Sequence, residues 1–100
     1  MEIKLQKNPE NTTVIIIGSF DTLAAETAEP TFRELESMAS KPIVLDCNAL
    51  DYIASSGLRV LLRLRKACAT QGQQMKLLGV NERVMEVLKI TGFNNIFIIE

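Results

Sequence analysis

No histidine occurs among the 100 residues. That removes the commonest general base and the commonest metal ligand together. Ser-His and Cys-His pairs are excluded, and with them many hydrolase and metalloenzyme mechanisms. The chain also lacks the Gly-x-x-x-x-Gly-Lys-Ser/Thr and Gly-x-Gly-x-x-Gly patterns that cradle phosphates, and its glycines are scattered singly. Cysteine is scarce. Cys47 and Cys68 each sit in an apolar run, which fits buried reduced thiols better than a disulfide scaffold. Aromatics make up 5% of the chain, and the formal net charge is only −1, so nothing draws the whole molecule to nucleic acid or an anionic membrane. No apolar run approaches the roughly 20 residues of a membrane span. Met1-Glu2-Ile3-Lys4-Leu5-Gln6-Lys7 has neither an apolar h-region nor a cleavage site. A cytoplasmic location without membrane insertion is expected. Two carboxylates such as Asp21 and Asp51 remain a formal acid–base pair. The absence of the usual parts otherwise points away from an enzyme, a metal or a cofactor.

What is present suits one globular domain over residues 1–100, with 47% hydrophobic residues led by Leu, Ile and Val. Glu2 to Lys7 alternates as a half-exposed strand, Asn8-Pro9-Glu10-Asn11 has turn chemistry, and the β-branched run Thr12 to Ile17 reads as a buried strand. The short link predicts a hairpin. Gly18 to Thr22 ends the second strand, and Asp21 or Thr22 can cap a helix from about Leu23 to Ala39, with Leu23, Phe32, Leu35, Met38 and Ala39 on one face. Pro30 predicts a kink or a restart. Ile43 to Cys47 reads as a central strand and Asn48 to Ala54 as a loop. Ser55 or Ser56 would cap a helix from Gly57 to about Thr70. Its apolar arc holds Leu58, Leu61, Leu62, Leu64, Cys68 and Ala69, with Arg59, Arg63 and Lys66 opposite and Arg65 interrupting the arc. Gly72 can end that helix. Met75 to Leu78 is a strand, Asn81 caps a helix from Glu82 to Thr91 with Val84, Val87 and Leu88 inside, Gly92 stops it, and Ile96 to Ile99 is the last strand. The order β-β-α-β-α-β-α-β implies a mixed α/β sheet opened by a hairpin, with parallel pairing through right-handed crossovers and helices packed on it.

Ser55-Ser56-Gly57 stands out because a helix start presents unpaired N–H groups and favours negative charge. By itself it reads first as an ordinary cap, followed by a glycine that permits close packing. The wider pattern is more specific. Ile43-Val44-Leu45-Asp46, followed by Leu50-Asp51-Tyr52-Ile53-Ala54-Ser55-Ser56-Gly57-Leu58-Arg59-Val60-Leu61-Leu62, resembles the signature of STAS domains, the bacterial anti-sigma factor antagonists and their relatives. Ile17-Gly18-Ser19-Phe20-Asp21 is similar to the family's strand-to-helix turn, and Thr91-Gly92-Phe93 fits its late helix.

The resemblance implies a binding module rather than an enzyme. Antagonists of this kind bind an anti-sigma factor that is also a serine kinase, which frees the sigma factor. Phosphorylation of the serine before the glycine ends that binding, and a serine phosphatase restores it. Carried over by position, the phosphorylated residue is Ser56. The partner-binding residues are Asp21, Thr22, Ser55, Gly57, Leu58 and Arg59, with Asp21 beside the phosphosite. Many phosphorylated members carry aspartate where this chain has Ala54. Relatives also serve as scaffold subunits of lipid-transport or stress-signalling assemblies, and some bind nucleotides or lipids. Arg59, Arg63 and Lys66 would either extend the docking face or form a solvated flank. Glu26, Glu29, Glu34 and Glu36 read as a solvated face, and Tyr52 as a lid over the edge of the core.

Overall fold

The computed structural model describes residues 1–100. Its elements are β1 (Glu2–Lys7), β2 (Thr12–Phe20), α1 (Thr22–Thr27), α2 (Glu29–Ser37), β3 (Ile43–Ile53), α3 (Ser55–Thr70), β4 (Met75–Leu78), α4 (Glu82–Thr91), a 3-10 turn (Phe93–Asn95) and β5 (Ile98–Ile99). The strands form one sheet in chain order β1-β2-β3-β4-β5. β1 pairs antiparallel with β2, and the remaining pairs are parallel. Each parallel step moves the same way across the sheet, so right-handed crossovers put the helices on one face. Burial follows. Val14, Ile16, Ile43, Leu45, Cys47, Met75 and Leu77 point into the helix layer and are buried. Thr13, Ile15, Ile17, Val44, Asp46, Lys76 and Leu78 alternate to the open face and are only partly covered.

The hairpin, the mixed sheet and the element order agree with the sequence expectation, and several boundaries do not. β2 runs on to Phe20 instead of ending at Ile17. A register shift against β3 interrupts it between Gly18 and Ser19, where Gly18 has φ +99°, a conformation open to glycine and strained for other residues. β3 likewise absorbs the expected loop from Asn48, because Leu50 and Ile53 continue its buried side while Asn48, Asp51 and Tyr52 are exposed. β5 is shorter than expected, since Phe93–Asn95 forms a 3-10 turn instead of feeding a strand at Ile96.

The predicted long helix is two helices. Ala28 ends α1 and begins α2, and Pro30 occupies the first turn of α2, where a missing N–H costs nothing. The break changes the helical phase. Phe32, Leu35 and Ala39 are buried, Met38 packs against them, but Leu23 points to solvent at 70% exposure. In α3, Val60 takes a core place that the expected arc omitted, whereas Ala69 is exposed. Phe20 from the end of β2 meets Phe32 of α2 with ring centroids 5.5 Å apart, joining the sheet to the helix layer. α4 ends at Gly92, and Asn81 caps it as expected, its Oδ1 accepting the Val84 N–H at 2.8 Å. The Asn81 amide also donates to the Leu50 carbonyl at 3.0 Å, which ties this helix start to β3. No helix is long and apolar enough to cross a membrane.

Both cysteines are free and buried. Burial pushes the Cys47 thiol up to about 12, with the Asp46 charge adding to the effect, and burial also raises Cys68. Thiolate is the reactive form. Iodoacetamide at mildly alkaline pH is therefore expected to leave the native protein unmodified and to alkylate both cysteines after denaturation, as read by intact mass.

Candidate functional site

The site lies where the carboxyl ends of β2 and β3 meet the starts of α1 and α3. Asp21 is the N-cap of α1, its Oδ1 accepting the Ala24 N–H at 2.8 Å. At α3 the expectation that a serine caps the helix is wrong. Ser55 and Ser56 already belong to the helix, and Ala54 is the N-cap, with extended φ −89° and ψ 168° but no side-chain acceptor. The backbone therefore adopts cap geometry while nothing from the cap reaches the first N–H groups.

Two contacts hold this start in place. The Ala54 N–H donates to the Phe20 carbonyl at 2.9 Å. Gly57 then rests against the end of β2: a Cβ there would come within 2.8 Å of the Phe20 oxygen, 2.9 Å of Phe20 Cδ1 and 3.0 Å of Ile53 Cγ1. Glycine is needed here for space. Leu58 follows it into the core at 1% exposure. Of the six expected partner-binding residues, Gly57 and Leu58 thus face inward, while Asp21, Thr22, Ser55 and Arg59 are exposed.

This packing brings the Ser56 hydroxyl, half-buried, to Thr22. Ser56 Oγ donates to Thr22 Oγ1 at 3.1 Å, across 34 residues of sequence. Asp21 shares that corner, but the hydrogen-bond partner of Ser56 is its neighbour Thr22. Both hydroxyls line a shallow groove of about 240 Å³ between α1–α2 and α3, together with Glu26, Glu29, Arg59 and Arg63. On the other side of α1 a larger groove of about 440 Å³ is lined by Asp21 and the exposed Leu23. Asp51, the other half of the formal acid–base pair, is exposed on β3. No three Cys, Asp or Glu side chains gather to hold a metal ion.

The charged flank is organised. Arg63 pairs with Glu29 at 3.1 Å and Glu36 at 3.2 Å, and Arg33 pairs with the same Glu29 at 3.0 Å. Glu29 and Glu36 are thus anchors between α2 and α3, not members of a uniformly solvated face. The Arg63 hydrogen bond is the main cause holding the Glu29 carboxyl below its ordinary range, and the hydrogen bond with Glu29 raises Arg63 in turn. Arg59, one turn earlier on α3, is exposed and makes no ion pair. Tyr52 is not a lid on the core. It lies at the surface with the Arg83 guanidinium 5.8 Å from its ring centroid, within cation–π range. The Arg63 clamp escaped the sequence reading, because it joins elements whose relative placement no local pattern shows.

The STAS domain profile matches residues 2–100. The chain belongs to the STAS domain family. It is 30% identical over 97 residues to BtrV of Bordetella bronchiseptica, which is named for an anti-sigma factor antagonist role, covering 97% of this chain and 84% of BtrV. A Thermotoga maritima protein named for the same role has the same fold, with a TM-score of 0.84 at 22% identity over 97% of this chain and 84% of that one. The antagonist SpoIIAA in its unphosphorylated form superposes with a TM-score of 0.75 at 16% identity, over 99% of this chain and 87% of SpoIIAA. The phosphorylated form of Bacillus SpoIIAA gives 0.73 at 16% identity, over 99% of this chain and 91% of that one.

Two substitutions test this STAS site. Gly57→Ala should destabilise by about 1–3 kcal/mol, because the new methyl must push backbone as well as side chain. Ala54→Asp should stabilise by about 0.5–2 kcal/mol by adding the missing cap. Urea unfolding monitored by circular dichroism reads both.

Proposed function

We propose that this STAS protein is an anti-sigma factor antagonist that captures an anti-sigma factor serine kinase, releases the sigma factor, and is switched off by phosphorylation of Ser56. The observation that carries the reading is the Ser56 hydroxyl, fixed at the edge of a surface groove beside exposed Thr22 and unpaired Arg59. Family membership and the similarity to BtrV support it. Asp21, Thr22, Ser55 and Arg59 present the docking surface, and Gly57 and Leu58 hold that surface in position from beneath. The module acts by binding, in the cytoplasm, with a serine phosphatase returning it to the active form.

Phosphate adds about 1.5–2 negative charges at neutral pH. Arg59 lines the groove and makes no ion pair within the chain, so an acidic partner face suited to that cation would meet repulsion from the phosphate. The backbone around Ser56 need not move for this to happen. SpoIIAA shares the present fold in both its unphosphorylated and phosphorylated forms, which fits a switch made by local charge.

Incubation with ATP and a candidate anti-sigma kinase should add the mass of one phosphate to the wild type and none to Ser56→Ala. Ser56→Asp should bind the kinase at least tenfold more weakly in calorimetry, with little change in thermal midpoint. That is the effect expected when charge at a docking face, and not the fold, is altered. Phosphate incorporation that persists in Ser56→Ala contradicts the assignment. Stable co-purification with transporter or stress-assembly subunits, without phosphate, would favour a scaffold role.

A further inference from the structure

Ser56 has one side-chain hydrogen-bond partner, and it comes from a different helix. Thr22 is the first residue of α1 and Ser56 the second of α3. Their hydroxyl oxygens are 3.1 Å apart. Asp21 sits next in sequence, but its Oδ1 accepts the Ala24 N–H at the α1 cap. A hydroxyl both donates and accepts, and its hydrogen rotates to suit its surroundings. Thr22 is also β-branched, which limits its own side-chain rotation. We propose that Thr22 is the positioning residue of the Ser56 switch, holding the serine oxygen in one rotamer before modification and turning to donate to the phosphate afterwards.

The chemistry requires that reversal. When a kinase transfers the terminal phosphoryl group of ATP, the Ser56 Oγ–P bond forms and the bond to the leaving diphosphate breaks. The serine proton passes to a base on the kinase. Oγ then has no hydrogen to donate, and Thr22 Oγ1 loses its donor. It keeps its own hydrogen, and the phosphate oxygens bonded through Oγ fall within its reach. A hydrogen bond donated to a phosphate is charge-assisted and stronger than the neutral one it replaces. Arg59 lies on the same groove without an ion pair and adds charge from the α3 side, while Arg63 stays engaged by Glu29 and Glu36. Thr22 thereby links α1 to the state of α3.

This inference rests on the reading of Ser56 as the modified residue, and its test requires no kinase. Phosphoserine is installed at position 56 during translation by amber suppression, and its second ionisation is followed by phosphorus-31 NMR. A donor to the dianion favours the charged form and lowers that pKa. Thr22→Val should therefore raise it, by about half a unit for the loss of one donor, and Thr22→Ser should restore the wild-type value. In the unmodified protein, the Ser56 α–β proton couplings should report a single rotamer that becomes averaged in Thr22→Val and is regained in Thr22→Ser. A purely structural role for Thr22 would leave the phosphate titration unmoved. An unchanged titration in Thr22→Val, a shift that Thr22→Ser does not reverse, or averaged Ser56 couplings in the wild type overturns the proposal. A kinase that ignores Ser56 would defeat the proposed function and leave these readouts standing.

Discussion

The start of α3 is held against the end of β2 at a distance that only a residue without a side chain permits. A Cβ at Gly57 would stand 2.8 Å from the Phe20 carbonyl oxygen. That same oxygen accepts the Ala54 N–H at 2.9 Å. One carbonyl thus receives the chain as it leaves β3 and lies under the glycine as the helix begins. Phe20 is itself fixed from the other side by Phe32 of α2. The consequence for function is positional. Because α3 comes this close, Ser56 reaches Thr22, and two hydroxyls from distant parts of the chain share the edge of one groove.

Around that anchor, the polar groups divide between support and availability. Arg63, Glu29 and Glu36 hold α2 to α3. Exposed ion pairs of this kind contribute little to stability, so their effect here is to fix geometry and to leave Arg59 as the unpaired cation near Ser56. Asp21 and Asn81 cap their helices with side-chain oxygens, whereas Ala54 does not. The anchored backbone, not a cap, keeps the α3 start in place. A switch on such a support can act by adding charge alone, since nothing beneath the serine has to be released.

The sheet, the hairpin and the helix order were legible because they rest on local signals: β-branched runs, alternation, and breakers such as Pro9, Pro42 and Gly92. The strand ends were not. Gly18 and Ser19 imitate a turn although Phe20 keeps the buried side of β2, and in β3 alternation gives way after Cys47, where polar Asn48 and Asp51 imitate a loop while Leu50 and Ile53 stay buried. Leu23 was misplaced because a wheel drawn through Ala28 and Pro30 assumes one continuous phase. At the site, the segment containing Ser56 was legible through family resemblance, and the need for Gly57 was anticipated only as close packing. The capping assignment failed because the helix begins at Ser55 and passes the cap position to Ala54. The Thr22–Ser56 hydrogen bond and the Arg63 clamp are tertiary, and neither leaves a periodic trace in the sequence.

As proposed, Ser56 is a local charge switch on a fixed support. Comparing the amide nitrogen–proton NMR spectra of the unmodified protein and the form phosphorylated at Ser56 tests it directly. Shifts are expected only in the end of β2, α1, the start of α2 and the first half of α3, with β1, β4, α4 and β5 unmoved. Shifts spread through β4, α4 and β5 would show a conformational change in the sheet and contradict it.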